Sequence, residues 1–202
     1  MTLIWISTLL AYFLGGLPFG YWFVRLSSGQ DIRTMGSGNI GATNVHRTAG
    51  KKAGLIVLFL DILKGFLAVW IASLLTHGNV LALALAAAAA MLGHCYPLLL
   101  RFKGGKAVAC FIGAFAFITP LPLLATTLVF VAVVALSKYI SLGSILGALV
   151  FPLLVWLLQR PPRDILLASI FAAALIIYRH QGNISRLRRG KEPTFSLKGK
   201  AA

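Results

Sequence analysis

AVACFIGAFAFITPLPLLATTLVFVAVVALS, residues 107–137, is the stretch on which the fold turns. Read as one long helix, it crosses a bilayer once. Read as two helices broken at Pro120 and Pro122, it crosses twice. Proline removes a backbone donor and clashes with the preceding turn, so two prolines this close supply a break. The basic residues decide between the readings. With a break here and the N-terminus outside, sixteen Lys and Arg residues fall on the inner side and only Arg160 and Arg163 on the outer, Lys64 lying within a span. Without the break the split is ten against eight. Inner loops of membrane proteins carry the excess of Lys and Arg, which selects the broken reading.

Outward from this stretch, apolar segments run 3–24, 54–76, 80–100, 107–119, 121–137, 142–158 and 164–178. The sequence therefore predicts an all-α, polytopic membrane protein of seven transmembrane helices forming a single domain over 1–202, with the N-terminus outside and the C-terminus cytoplasmic. Composition agrees. Of 202 residues, 59% are hydrophobic and 11% charged, where a soluble domain carries about 25% charged residues. Mean hydropathy is +0.89. The net charge of +15 would suggest nucleic acid in a soluble chain; here it reads as topology, and no nucleic-acid partner is expected. No basic residue precedes Arg25, so the first apolar run is expected to be kept as a span rather than cleaved as a signal. The runs lack the period-two alternation of a membrane barrel. Leu81–Ala90, only Ala and Leu, reads as a close-packing helix face. Cys95 and Cys110 make no metal pair and read as small buried hydrophobes.

Every polar segment of any length then faces one side. GSGNIGATNVHR, Gly36–Arg47, packs three glycines, a serine, a threonine and two asparagines before His-Arg. Glycines allow positive φ and close approach, successive N–H groups can form an anion nest, and Arg47 adds a planar fork suited to phosphate. A solvated linker needs no such mixture. HCYPLLLRFKGGKAVA, His94–Ala109, places Gly104, Gly105 and Lys106 at the start of a helix, where free N–H groups and the dipole favour an anion. It is not a Walker A loop: Leu100 stands where the first glycine would be and Ala107 where Ser or Thr would be. RHQGNISRLRRGKEP, Arg179–Pro193, follows the last span. Arg186–Lys191 reads as a lipid-facing basic cluster. His180 and Asn183, three apart, can share a helix face, and a histidine there can act as a general base. Asp61 and Lys64, within the second span, read as a local ion pair; His94 can cap or orient the second loop.

There is no His-x4-Asp, no Gly-x-Ser-x-Gly elbow and no Cys/His metal site in the sequence, and no metal or cofactor is expected. Three basic, amide- or glycine-rich segments on one membrane face suit an enzyme that brings a phosphate compound to lipid. A transporter of organic phosphates is the rival class, with thin support from Lys64; a lipid-binding scaffold leaves all three motifs unexplained.

In order and type, the three segments resemble the signature motifs of the bacterial acyl-phosphate:glycerol-3-phosphate acyltransferases. The match runs from Gly36-Ser37-Gly38-Asn39 through Thr43-Asn44 to Arg47, then Phe102-Lys103-Gly104-Gly105-Lys106, then Arg179-His180 with Asn183-Ile184. Ala107 departs from a further glycine common in the family. The resemblance implies transfer of an acyl chain from acyl phosphate to the sn-1 hydroxyl of glycerol 3-phosphate, giving lysophosphatidic acid and inorganic phosphate, without acyl-CoA. It implies a multi-pass enzyme of the bacterial inner membrane, active as a monomer, its site facing the cytoplasm. Ser37, Gly38, Asn39, Thr43, Asn44, Arg47, Lys103, Gly104, Gly105 and Lys106 would bind substrate phosphates, with His180, Asn183 and Ser37 catalytic. Either His180 or the leaving phosphate would take the hydroxyl proton.

Overall fold

The computed structural model describes residues 1–195; Lys198 and Lys200, counted above on the inner side, lie outside the described residues. Those residues form ten α-helices and no strand. They are α1 (Thr2–Gly15), α2 (Phe19–Ser28), α3 (Ala42–Ala49), α4 (Lys51–Thr76), α5 (Val80–Cys95), α6 (Val108–Ile118), α7 (Pro120–Ser137), α8 (Ile140–Gln159), α9 (Arg163–Arg179) and α10 (Gln181–Arg188).

Five segments are long and apolar enough to cross a membrane: Thr2–Ser28, Lys51–Thr76, Val80–Leu100, Pro120–Ser137 and Ile140–Gln159. A sixth is reached when α9 and α10, bent 55° from one another, are taken together. The break expected at the prolines is there: α6 ends at Ile118 and α7 starts at Pro120. The helix before the break fills the short apolar run 107–119 almost to its ends. α6 has 11 residues, about 16 Å at 1.5 Å per residue, roughly half of a hydrocarbon core of about 30 Å.

Packing explains the short helix. α6 lies along the middle of α4, not its end. A Cβ on Gly65 would meet the Cys110 carbonyl oxygen at 2.1 Å, and one on Gly113 would meet that of Ile62 at 1.8 Å. Only glycine lets the two backbones approach so closely. Beyond this contact Phe66 and Phe117 meet edge to face, ring centroids 5.6 Å apart. α6 thus begins about level with Asp61, ten residues into α4, or about 15 Å below its start. The turn before it descends into the bundle.

The first apolar run also differs from expectation. It is two helices, interrupted at Gly16–Pro18. Pro18 interrupts the regular ladder, and at the break the Leu17 carbonyl accepts from Phe19 N at 3.1 Å, only two residues on. Lys64 adds a stronger donor: its ammonium donates to Leu17 O at 2.8 Å and pairs with Asp61 at 2.8 Å. A freed backbone group in the bundle interior needs such a partner. The ion pair expected from its spacing therefore also stitches α4 to the broken first span. Ala82, Ala86, Ala87 and Ala90 are wholly buried in the core, together with Cys95 and Cys110, both free of disulfides.

Candidate active site

The first segment is not the open loop its composition suggests. Gly36 and Gly38 do take positive φ, but residues 42–49 form α3. Thr43 and Arg47, four apart, therefore share a face, and both line a common cavity. Asn44 does different work. It is buried, accepts from Ser37 N at 2.9 Å, and donates to Met35 O at 3.0 Å and Asn39 O at 2.8 Å. The Gly38 N–H goes to Met35 O, and the Gly41 N–H to Asn39 Oδ1 at 2.7 Å. Asn44, Gly38 and the carbonyls of Asn39 and Met35 thus hold the loop together. The N–H groups of Ser37, Gly38 and Gly41 are engaged internally, so the expected anion nest is not formed there. The Ser37 hydroxyl, the Thr43 hydroxyl and the Arg47 guanidinium line the cavity with no hydrogen-bond partner among the described residues.

The glycine turn is a second correction. Gly105 N donates to His94 O at 2.9 Å and Gly104 N to Cys95 O at 3.1 Å. These N–H groups cap the last carbonyls of α5, which have no intrahelical partner, and do not point at a ligand. The two glycine carbonyls accept from Arg179, Nε to Gly105 O at 3.0 Å and a terminal nitrogen to Gly104 O at 3.1 Å. The guanidinium itself lies over the Tyr96 ring, 4.9 Å from its centroid. Glycine is required because the turn is pressed onto α5: a Cβ on Gly105 would sit 2.0 Å from His94 Nε2. The turn's contribution to the cavity is Lys106 and the opening turn of α6, through Val108 and Ala109. Lys103 lies outside this cavity, in a separate groove.

The third segment completes the site. Lys106 Nζ donates to Asn183 Oδ1, and Asn183 Nδ2 donates to Glu192 at 2.6 Å. Glu192 also accepts from Ser141 Oγ at 2.7 Å and Arg186 Nε at 2.7 Å. Burial pushes the Glu192 carboxyl up, but these three bonds outweigh it and hold the group below the usual carboxylate range. Arg186 is therefore part of an ion pair at the site, not only a lipid-facing charge. His180 ends α9. Its Nδ1 lies 2.7 Å from Ile176 O, so Nδ1 carries the proton and Nε2 is left as an acceptor. Phe195 folds back over the site, its N–H on Lys138 O at 2.7 Å and its ring 5.7 Å from that of His46.

All three segments line one cavity of about 400 Å³. One wall is polar, carrying Ser37, Thr43, Arg47, Lys106, His180 and Asn183. The other is apolar, with Leu55, Leu58, Val108, Ile112, Phe130 and Val134 from α4, α6 and α7. Burial lowers the Lys106 ammonium to about 8, reinforced by the positive charges of Arg186, Arg47 and Arg179 and opposed by Glu192. Uncompensated positive charge facing a cavity is the electrostatic signature of an anion site. Glu192, Ser141 and Phe195 escape sequence reasoning; a single acid among arginines was the one available signal. Arg179 enters as the residue that holds the glycine turn.

The glycerol-3-phosphate acyltransferase family profile matches residues 5–190. A glycerol-3-phosphate acyltransferase of Desulforamulus reducens is 47% identical over 182 residues, 90% of each chain. One of Syntrophotalea carbinolica is 45% identical, covering 96% of this chain and 99% of the relative. Among solved structures, the integral membrane glycerol 3-phosphate acyltransferase PlsY in its glycerol 3-phosphate form is 38% identical with a TM-score of 0.90 over 96% of each chain. Its lysophosphatidic acid form is 36% identical with a TM-score of 0.86 over 97% of each chain.

Proposed function

The chain belongs to the glycerol-3-phosphate acyltransferase family and transfers an acyl chain to glycerol 3-phosphate, giving lysophosphatidic acid; we propose that its donor is acyl phosphate, its target the sn-1 hydroxyl and its second product inorganic phosphate. The observation that carries this reading is the two-walled cavity. A polar wall of Arg47, Lys106, Ser37 and Thr43 fits a phosphate and a polyol. The apolar wall fits an acyl chain.

In this reading Arg47 and Lys106 hold the phosphate of glycerol 3-phosphate, with the Ser37 and Thr43 hydroxyls as further donors. Asn183 sets the Lys106 ammonium in place. Acyl phosphate is a mixed anhydride, so its carbonyl is already activated and no covalent enzyme intermediate is needed. The hydroxyl oxygen attacks the acyl carbon, the carbon–phosphate oxygen bond breaks, and phosphate leaves. Alignment of hydroxyl and carbonyl can lower the barrier by about 7–11 kcal/mol, and donors at the α6 N-terminus can stabilise the oxyanion. His180 Nε2 accepts the hydroxyl hydrogen bond and orients it. The proton passes to the leaving phosphate: an imidazolium at His180 would add a further cation beside Lys106 and Arg179, only partly opposed by Glu192, with a backbone carbonyl at Nδ1.

The same reading makes the chain one domain of a bacterial inner membrane, acting as a monomer without a cofactor. It has seven crossings, α6 being the short one, with the N-terminus outside and the cavity open to the cytoplasm. The test is phosphate release from acyl phosphate plus glycerol 3-phosphate by the purified protein, with lysophosphatidic acid confirmed by mass. Activity with acyl phosphate, none with acyl-CoA, and loss in Lys106→Ala are expected. Turnover with acyl-CoA alone would overturn the donor assignment.

A further inference from the structure

A second concavity lies beside the catalytic one and takes no part in the chemistry above. It is a groove of about 510 Å³ lined by Tyr21, Trp22, Arg33, Leu99, Arg101 and Lys103. It is formed by α2, the 3-10 turn Ile32–Thr34 and the turn that leads into Gly104. It therefore opens at the end of the bundle that carries the catalytic cavity.

The groove carries a net positive charge that the protein does not neutralise. The chain has four acids. Asp31 is taken by Arg33, at 2.6 Å, and that guanidinium also lies 5.1 Å from the centre of the Tyr21 ring. Asp61 is buried against Lys64. Glu192 pairs with Arg186. Asp164 starts α9, the end opposite to Arg179. Arg101 and Lys103 are left with no acid and no hydrogen-bond acceptor for their side chains among the described residues.

The backbone displays these side chains in a costly way. Arg101 and Phe102 both take left-handed conformations, φ 52° and 63°, which L residues adopt with strain. The turn is fixed there: the N–H groups of Arg101, Phe102 and Lys103 go to Leu98, Pro97 and Leu100, and Leu100 is buried in the small core beneath the first segment. Around the cations the surface is apolar and exposed, at Trp22, Leu98, Leu99 and Phe102. Cations above an apolar belt with an indole at the edge match the layering of a phospholipid at a membrane interface. A soluble phosphate would make no use of the belt.

We propose that the groove between Trp22, Leu99, Arg101 and Lys103 is a binding site for an anionic phospholipid, its phosphate on Arg101 and Lys103 and its chains along Trp22 and Leu99. Because Lys103 precedes the Gly104-Gly105-Lys106 turn, an occupied groove also braces Lys106.

Trp22 reports on occupancy. The protein is placed in vesicles of zwitterionic phosphatidylcholine containing either brominated phosphatidylglycerol or brominated phosphatidylcholine, and quenching attributable to Trp22 is taken as the difference from Trp22→Phe. The expected result is half-quenching at a mole fraction about five- to thirty-fold lower for the anionic lipid, the advantage of one to two basic contacts. Arg101→Gln with Lys103→Gln removes that preference, each single variant about fivefold of it. Arg160→Gln with Arg163→Gln keeps it. Equal quenching by both lipids in the unaltered protein, or a preference that survives the double substitution, overturns the proposal. So does loss of the preference on adding saturating inorganic phosphate, which would make the groove a site for free phosphate.

Discussion

Lys106 donates its ammonium to the side-chain oxygen of Asn183, 77 positions further along the chain. Asn183 passes the contact on to Glu192, so the Lys106 ammonium is aimed by a side chain that is itself held by an ion-paired carboxylate. The amide cannot rotate without losing one of its two partners. That fixes a flexible four-carbon arm before any ligand arrives.

Lys106 makes binding pH-dependent. Its ammonium is lowered to about 8, so it is charged below that pH and neutral above it. KM for glycerol 3-phosphate is expected to be flat below about pH 7.5 and to rise about tenfold per unit above pH 8, as the charged fraction falls. Lys106→Arg, which stays charged, should remove this rise while raising KM throughout because the fork no longer fits Asn183. Initial rates across pH 6.5–9.5 test this.

Gly105→Ala should abolish turnover without touching any group that contacts substrate. The added carbon would lie 2.0 Å from Nε2 of the buried His94 ring. The turn must lift, and Lys106 with it. Misplacement of about 1 Å can cost about 10²-fold in rate. Steady-state kinetics should show kcat/KM down by at least that factor; near-normal kinetics would show that the turn tolerates displacement.

His180→Gln and His180→Ala separate orientation from proton transfer. Glutamine keeps an acceptor but is no base. If the leaving phosphate takes the proton, His180→Gln retains kcat within about tenfold and His180→Ala mainly raises KM. A loss of about 10²–10⁴ in kcat in both variants would instead make the imidazole the general base.

Ala107→Gly should stabilise the protein. Ala107 is wholly buried at φ 62°, a conformation costing an L residue about 1–2 kcal/mol. Glycine's greater unfolded-state freedom offsets about 0.4–1 kcal/mol of the gain. A net gain of about 0.5–1 kcal/mol, seen as a raised Tm in detergent at unchanged kcat, is expected.

The three functional segments were legible because polar residues in so apolar a chain must be accounted for, and Arg47, Lys106 and Asn183 do meet in one cavity. What each residue does was less legible. Thr43, Asn44 and Arg47 read as parts of a loop, since eight residues after a glycine carry too little periodicity to announce α3; both Asn44 and Arg47 line the cavity, but Asn44 spends its amide on the loop. Gly104 and Gly105 read as a phosphate cradle because their true constraint, the ring and carbonyl of His94, lies a turn away in space but ten positions away in sequence. Lys103 sits two residues before Gly105 and faces another groove. Glu192 was hidden in a run of arginines. The depth of α6 was invisible for a different reason: the apolar run 107–119 gives its length, but only the contacts of Gly65 and Gly113 between α4 and α6 set where its start falls.

That starting point has a wider consequence. A charged polyol phosphate and a long-chain acyl group dissolve in opposite phases, and at an ordinary bilayer surface neither would reach the other fully solvated. In the proposed orientation, by beginning α6 level with Asp61 rather than with Lys51, the bundle would lower a patch of aqueous boundary into the hydrocarbon layer and line it with its own donors. Two immiscible reactants can then meet without either leaving its solvent.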